Sequence, residues 1–472
     1  MKRKHFLFTF TFLSVTSLFA FTPVSTNELL LSYLENDIDL QKATLQAEKA
    51  NLSYESTTID NGINVNLSTG SISLRTSKDG LSVKASPTVK LVMPELNNLS
   101  ISAKTSLTAQ KDNNNPVTDT NIAVDVDIIS SDKLQLEINK DTAERNRLTA
   151  IRNLETKALE KEKAFYNDLK NILNSYNSIV QAQSKLYNDL KDFESIQAKG
   201  YSQSSSKYRT AELQVLSDKN SIESSIKTFI NDYILFYKKC GIDIDLAYGG
   251  NFQELLPTDL TDVELLDVED FDKDKYIEIE NAKWTHEINS KKRKLNSFFS
   301  LSANAGYTFK NSLTNSDTVN LGVNSTIGGV NLSVGMNIPT TPDPYPTFTI
   351  SAGVNPNTFR KNNIKTKQDD LTEQQELLDI QTAEINYDNF VISSKQKYEE
   401  LLWKAETTKK NYDMYEDLRK DMKEWYKEGV VSESDYLSAI TNANLYKVKM
   451  LINQIDLLIY NNDITRKFIQ EQ

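Results

Sequence analysis

Hydrophobic residues recur with two different periods along this chain, two in some stretches and a mixture of three and four in others. Period two runs through Ile63, Val65 and Leu67; through Leu81, Val83 and Ala85, then Val89, Leu91 and Met93; through Leu99, Ile101 and Ala103; and through Ile122, Val124, Val126 and Ile128. It returns in Phe299, Leu301, Ala303, Ala305, Tyr307 and Phe309, in Val319, Leu321 and Val323, in Val330, Leu332, Val334, Met336 and Ile338, and in Phe348, Ile350, Ala352 and Val354. Ser, Thr, Asn and Lys occupy the alternate positions, and turn-forming runs such as Ser77-Lys78-Asp79-Gly80 and Thr340-Thr341-Pro342-Asp343-Pro344 separate the segments. Eight strands with one apolar face are predicted. Such segments suit a transmembrane β-barrel, and a soluble β-sandwich alternates in the same way.

The longer period appears in Leu148, Ile151, Leu154, Ala158 and Leu159, and again in Leu371, Leu377, Leu378, Ile380 and Ile385. Lys, Glu, Asn and Asp fill the other faces, which predicts helices that pack along a narrow seam and meet water elsewhere. None of the ten Pro falls in residues 117–256 or 357–472, and the helix-compatible part of each stretch holds one interior Gly, Gly200 or Gly429. Helices over 133–200 and 360–429 would each reach about 100 Å at 1.5 Å per residue. Each Gly reads as a C-cap after which a helix returns antiparallel. Shorter helical patterns over 28–54 and 273–295 precede the strands. The order is thus duplicated: a first repeat over 21–240, with strands about 62–130 and a turn near 200, and a second over 273–472, with strands about 298–355 and a turn near 429. Residues 241–272 form an acidic linker or collar between them; 241–275 hold Asp or Glu at eleven positions against two Lys, which leaves a solvated segment or a cationic-partner or metal site as readings.

At the N-terminus, basic Lys2, Arg3 and Lys4 precede an apolar run over 6–19 and Ala20, the order of a secretory signal peptide over 1–20; an uncleaved anchor is the other reading. Export favours the barrel over the sandwich. Cleavage would take the formal charge from −11 to about −14. No Cys follows the apolar run to accept a lipid. The acidic balance argues against nucleic acid as a partner. With two His, His5 and His286, and one Cys, Cys240, little material exists for metal centres, disulfides or a His-assisted nucleophile, so no enzyme, cofactor or metal is expected. Cys240 reads as a small packed residue near a helix end. Candidate interfacial aromatics are Phe298, Phe299, Tyr307, Phe309, Tyr345 and Phe348, whereas 62–132 contain none.

The sequence of signal peptide, short helix, strands, long helix, Gly turn and returning helix, followed by the last five again, resembles the TolC family of outer-membrane efflux proteins over nearly the whole mature chain. Its most specific stretch is Glu424-Trp425-Tyr426-Lys427-Glu428-Gly429-Val430-Val431-Ser432-Glu433-Ser434-Asp435-Tyr436-Leu437-Ser438-Ala439, similar to the family's Tyr, Gly, Asp and Ala pattern at a periplasmic helix turn. Lys199-Gly200-Tyr201-Ser202, continuing to Ala211, is a weaker copy, and Asn355-Pro356-Asn357-Thr358-Phe359 sits where the family has a Pro-containing strand end.

The resemblance implies an α+β membrane protein: a homotrimer sharing one β-barrel in outer-membrane lipid, continued by a periplasmic α-helical tunnel. It further implies a passive exit duct of a tripartite efflux or type I secretion system, working with a periplasmic adaptor and an inner-membrane transporter. No Gly-x-x-x-x-Gly-Lys-Ser/Thr phosphate cradle is present, so energy is expected from the partner. By the same resemblance Asp435, Tyr426, Tyr436, Lys207 and Tyr208 are gate residues, and Gly200, Gly429, Val430 and Ser432 form helix-tip turns for adaptor docking. The chain departs from the family at Ser438 and Ser206, where a carboxylate is common, and at Val431, where some relatives have Arg. Asp435 also fits an ordinary carboxylate in the first turn of a helix, and Trp403 and Trp425 read as helix-packing residues. Family members usually give four strands per subunit, against eight segments here. A structural alternative is an exported coiled-coil stalk or adhesin with a β head and no pore; an exported hydrolase with paired carboxylates is a third class, for which no spacing singles out a pair.

Overall fold

The structure, a computed structural model, describes residues 25–77, 80–109, 117–244, 252–257, 259–260, 263–296, 299–310, 316–327, 330–340 and 345–470. The signal-peptide reading over 1–20, Phe298 and parts of the acidic linker and strand turns lie outside them. In chain order the elements are helices α1 (Thr26–Glu35) and α2 (Ile38–Asp60); strands β1 (Asn64–Ser68), β2 (Ser73–Ser77), β3 (Gly80–Ala85), β4 (Thr88–Met93), β5 (Leu99–Ala109) and β6 (Val117–Ile129); and helices α3 (Asp132–Ala198) and α4 (Ser206–Lys239). The second half gives α5 (Ile277–Asn296), β7 (Ser300–Lys310), β8 (Thr318–Ile327), β9 (Val330–Pro339), β10 (Thr347–Val354), α6 (Pro356–Lys427) and α7 (Glu433–Thr465). Two compact units result, each drawing on both halves: one of residues 1–45, 152–277 and 385–472, the other of 46–151 and 278–384. Among the described residues no helix is long and apolar enough to cross a membrane.

Two sequence expectations need correction. The pattern over 28–54 is not one helix: Ser25 opens α1 with a reciprocal capping box to Glu28, and α1 ends at Asn36 before α2 begins. The strands number ten among the described residues, not eight. Pro87 splits the run from Leu81 to Met93 into β3 and β4, because proline cannot donate to the ladder. β2, with Arg75 at its centre, carries no apolar alternation that would have announced it.

The second unit contains one antiparallel sheet in the order β1, β4, β5, β6, β7, β8, β9, β10; β2 pairs with β3, and β3 pairs with β5 beyond the end of β4. β1 with β2, and β3 with β4, therefore act as two broken strands, so eight tracks cross the sheet. The register sorts side chains with few exceptions. Val65, Leu91, Ile101, Val124, Ala305, Leu321, Met336 and Phe348 stand side by side across all eight tracks. One position along, on the other face, the row is Asn66, Lys90, Ser102, Ala123, Gly306, Asn320, Asn337 and Thr347. Since side chains alternate faces, one face is an apolar belt and the other is largely polar.

All four helix junctions of this unit, after α2, before α3, after α5 and before α6, fall at one end of the sheet. The strand joins at that end are residues 94–98 and 328–329, while 78–79, 110–116, 311–317 and 340–346 join strands at the other. Buried ion pairs fasten the helices here. Arg145 on α3 makes a bidentate bond to Glu280 of α5 and lies 5.0 Å over the Trp284 ring. Glu376 of α6, 6% exposed, accepts two bonds of 3.0 Å from Arg293 of α5, with Asn289 at 2.8 Å and His286 Nδ1 at 3.0 Å. These donors hold the Glu376 carboxyl below the usual range even though burial pushes it up.

The first unit is helical, with a core along a narrow stripe of α3: Phe165, Leu169, Ile172, Leu173, Tyr176 and Val180. Phe229, Tyr233, Phe236 and Tyr237 of α4 and Val448, Ile452 and Ile455 of α7 close over it. Cys240, fully buried at the C-cap of α4, is a packing residue whose thiol is pushed up to about 12 by burial. A second cluster stacks Tyr276, Tyr387, Phe390 and Phe468. Phe229 is 0% exposed and its ring meets Tyr176, Tyr233 and Phe252. Phe229→Ala is therefore expected to cost about 3–5 kcal/mol, read as a lower denaturant midpoint for the loss of helical circular dichroism.

Candidate functional site

Two features stand out, one in each unit. In the second unit the apolar belt is uncovered: Ile101, Ile122, Val124, Leu321, Val323, Leu332, Val334, Phe348 and Ile350 are all exposed. Tyr307 and Phe309 pack with ring centroids 4.5 Å apart towards the end of the sheet away from the helices. The sheet has two edges, β10 and the β1/β2 track, whose outer backbone groups find no strand partner among the described residues. β10 is exposed along its whole length. On the polar face short side chains bond across strands: Asn121 Nδ2 to Thr308 Oγ1 at 2.7 Å, Ser333 Oγ to Asn324 Oδ1 at 2.6 Å, and Ser100 Oγ to Asp125 at 3.3 Å.

An uncovered seam also runs along α6. Ile364, Leu371, Leu378, Ile385 and Ile392 recur every seven residues and are 52–65% exposed. The expected packing of Leu371, Leu378 and Ile385 is thus not made within the chain, nor is that of Trp403 and Trp425, which are exposed. A strict heptad keeps one stripe of a helix facing a partner helix. The seven-residue spacing was present in the sequence and is the signal that would have found this seam.

In the first unit the helix tips bring several candidate residues together. Gly200 and Gly429 both adopt φ +73°, the left-handed region that costs a residue with a Cβ roughly 1–2 kcal/mol. At Gly429 the amide bonds to Tyr426 O at 3.1 Å and the Val430 amide to Trp425 O at 2.9 Å, a Schellman cap. Val430 is exposed, and Ser432 caps α7 by accepting from the Asp435 amide at 3.2 Å. The Asp435 carboxylate receives Lys191 Nζ from α3 at 2.6 Å and Ser432 Oγ at 2.8 Å. Lys191 and Ser432 hold that carboxyl below the usual range. Tyr426 and Tyr436 stack, centroids 5.2 Å apart at 13°. The first-repeat candidates are placed separately: Lys207 donates to Tyr201 OH at 3.3 Å and covers its ring, and Tyr208 packs edge-on against Phe193 at 5.1 Å. Lys191 is the residue that sequence reasoning missed; nothing in its surroundings marks it, because its partner lies 244 positions away.

Among the described residues no cluster of three or more His, Cys, Asp or Glu is placed to hold a metal ion.

A helix-and-sheet unit joined to paired helical hairpins, built twice along one chain, is the class of protein these elements define. Residues 29–260 match the TP096X N-terminal domain and residues 261–471 the TP096X C-terminal domain. The two domain matches adjoin and together span residues 29–471. No curated protein matches its sequence. Among solved structures it is similar to the open state of the Neisseria gonorrhoeae MtrE outer membrane channel, at 14% identity and TM-score 0.48 over 94% of this chain and 88% of that one. It is also similar to a membrane protein from Pseudomonas aeruginosa, at 12% identity and TM-score 0.47 over 94% and 89%, and to the outer membrane protein VceC from Vibrio cholerae, at 10% identity and TM-score 0.44 over 93% and 94%.

The depressed Asp435 carboxyl gives the tip contact a pH signature. Its stabilisation is complete above the ordinary carboxylate pKa near about 4 and disappears as pH falls through the depressed value. Asp435→Asn is expected to lower the melting temperature at pH 7, with the difference from wild type shrinking as the pH falls below the ordinary carboxylate pKa; thermal melts from neutral into acid pH check it.

Proposed function

We propose that this chain is a subunit of an outer-membrane channel, a passive duct whose sheet closes into a barrel with neighbouring copies. The observation that carries the reading is the row-by-row register: across eight tracks one face is apolar and open, the other polar. A membrane barrel needs apolar side chains towards lipid and polar ones towards a water-filled lumen. A sandwich would cover its apolar face with a second sheet. Strand lengths support the same reading. β7 has 11 residues, β8 and β9 have 10 each and β5 has 11, against about 9–11 for a tilted membrane strand.

Unsatisfied backbone at the two edges cannot face hydrocarbon, so edges must be paired by association. An even number of tracks makes β10 and the β1/β2 track run in opposite directions. Copies arranged head to tail around an axis can then pair β10 of one with the β1/β2 edge of the next, antiparallel throughout. The exposed heptad on α6 offers a helical seam to the same neighbour. Three copies, the number implied by the resemblance to the TolC family, would supply eight tracks each.

In this reading the helices and the joins 94–98 and 328–329 lie on the periplasmic side, and the three seven-residue joins, 110–116, 311–317 and 340–346, lie outside with the short β2–β3 turn. The helix tips around Gly200 and Gly429 are the periplasmic end, where an adaptor and an inner-membrane transporter of a tripartite efflux or type I secretion system would dock on Val430, Ser432 and their surroundings. Tyr426, Asp435 and Tyr436, with Lys207 and Tyr208, line the gate. The Lys191–Asp435 pair would then tie α3 to α7 in the resting tip and part when the tip opens.

Lysine substitution tests the face assignment. Val334→Lys on the belt should reduce folding into lipid vesicles by about 2–4 kcal/mol, as a charge at mid-bilayer does, whereas Ser333→Lys on the opposite face should fold as wild type. Equal tolerance at both positions would favour a β head in water, the exported stalk.

A further inference from the structure

The polar face of the sheet is zoned by charge, and from that zoning we infer that Lys90 and Lys104 form a cationic belt in the lumen that favours small anions such as chloride or phosphate. The inference deepens the channel reading and rests on it for the direction of the polar face.

The register fixes where each charge stands. At the helix end are Asp127, opposite Ser302, and Asp125, between Ser100 and Asn304. Next along the strands comes Lys90, between Asn66 and Ser102, and then Lys104, between Thr88 and Asn121. Beyond them Asp119 stands directly opposite Lys310, a cross-strand pair of opposite sign. Further out are Lys84, opposite Thr108 and Ser73, and Arg75, opposite Ser82. The helix end is therefore acidic and the middle of the sheet basic.

The two zones do not neutralise each other. The aspartates are occupied locally: Asp125 accepts from Ser100 Oγ at 3.3 Å and Asp127 from Asn98 Nδ2 at 3.2 Å. Lys90 and Lys104 are exposed, and neither makes an ion pair or side-chain hydrogen bond among the described residues. Their in-register neighbours are all neutral. From Lys90 to Asp125 is two strands across and one row along, about 12 Å at strand spacings of roughly 4.8 Å and two residues of rise. That exceeds the Debye length of about 8 Å at physiological salt. Lys90 and Lys104 themselves are diagonal neighbours about 7–8 Å apart, close enough for both to act on one anion. The paired residues of β7 to β10 at the same two levels are only Gly, Asn, Thr and Pro, and the opposite charge nearest the pair is Asp119, a diagonal neighbour of Lys104 that itself stands opposite Lys310.

Such a belt has a direct electrical readout. Purified full-length protein in a planar bilayer under a potassium chloride gradient reports the chloride-to-potassium permeability ratio through its reversal potential. Lys90→Gln/Lys104→Gln should still conduct, with that ratio lowered on the order of threefold, while Lys90→Arg/Lys104→Arg should keep the wild-type ratio. A conducting Gln variant with an unchanged ratio overturns the belt and leaves the channel standing. Protein carrying Asp435→Asn, which releases the tip pair to Lys191, that folds into the bilayer and still does not conduct overturns the channel reading, and the belt with it.

Discussion

An antiparallel sheet whose apolar face is open and whose two edges are unpaired cannot persist alone in water or in lipid, and that constraint organises everything else in this protein. In water the belt running from Val65 to Phe348 would aggregate. In hydrocarbon the belt is satisfied, yet the edge amides and carbonyls are not. Both demands are met when further copies complete the sheet around an axis, and the eight-track count lets that closure stay antiparallel.

The helices answer a related problem. The buried aromatic stripe of α3 with α4 and α7 gives the helical unit a core of its own, and the Arg145–Glu280 and Arg293–Glu376 pairs fix α5 between the long helices at the sheet. The chain leaves two seven-residue series uncovered, Ile38, Leu45, Leu52 and Ile59 on α2 and Ile364 to Ile392 on α6.

Much of this was legible in the sequence, for definite reasons. Period-two alternation survives translation into structure because a one-residue slip would turn every side chain to the wrong face, and the solitary Gly200 and Gly429 mark turns because few other residues tolerate φ near +73°. Three things were hidden. β2 is held by pairing with β3 and has no pattern of its own. The break between α1 and α2 at Asn36 leaves the helical spacing on either side undisturbed. At the tip, Asp435 could be picked out by its place after Gly429, but Lys191 could not, since a contact made across 244 residues depends on how α3 and α7 pack. The grouping of Glu376 with His286, Asn289 and Arg293 was hidden for the same reason.

Single-cysteine scanning along β9, residues 331–338, tests the central claim most directly, and the buried Cys240 gives it a quiet background. In lipid vesicles, labels at Leu332, Val334, Met336 and Ile338 should be quenched by a lipid-phase quencher, and labels at Asn331, Ser333, Gly335 and Asn337 by an aqueous one. Quenching from water alone at every position would contradict the account, because the apolar belt would then face no membrane.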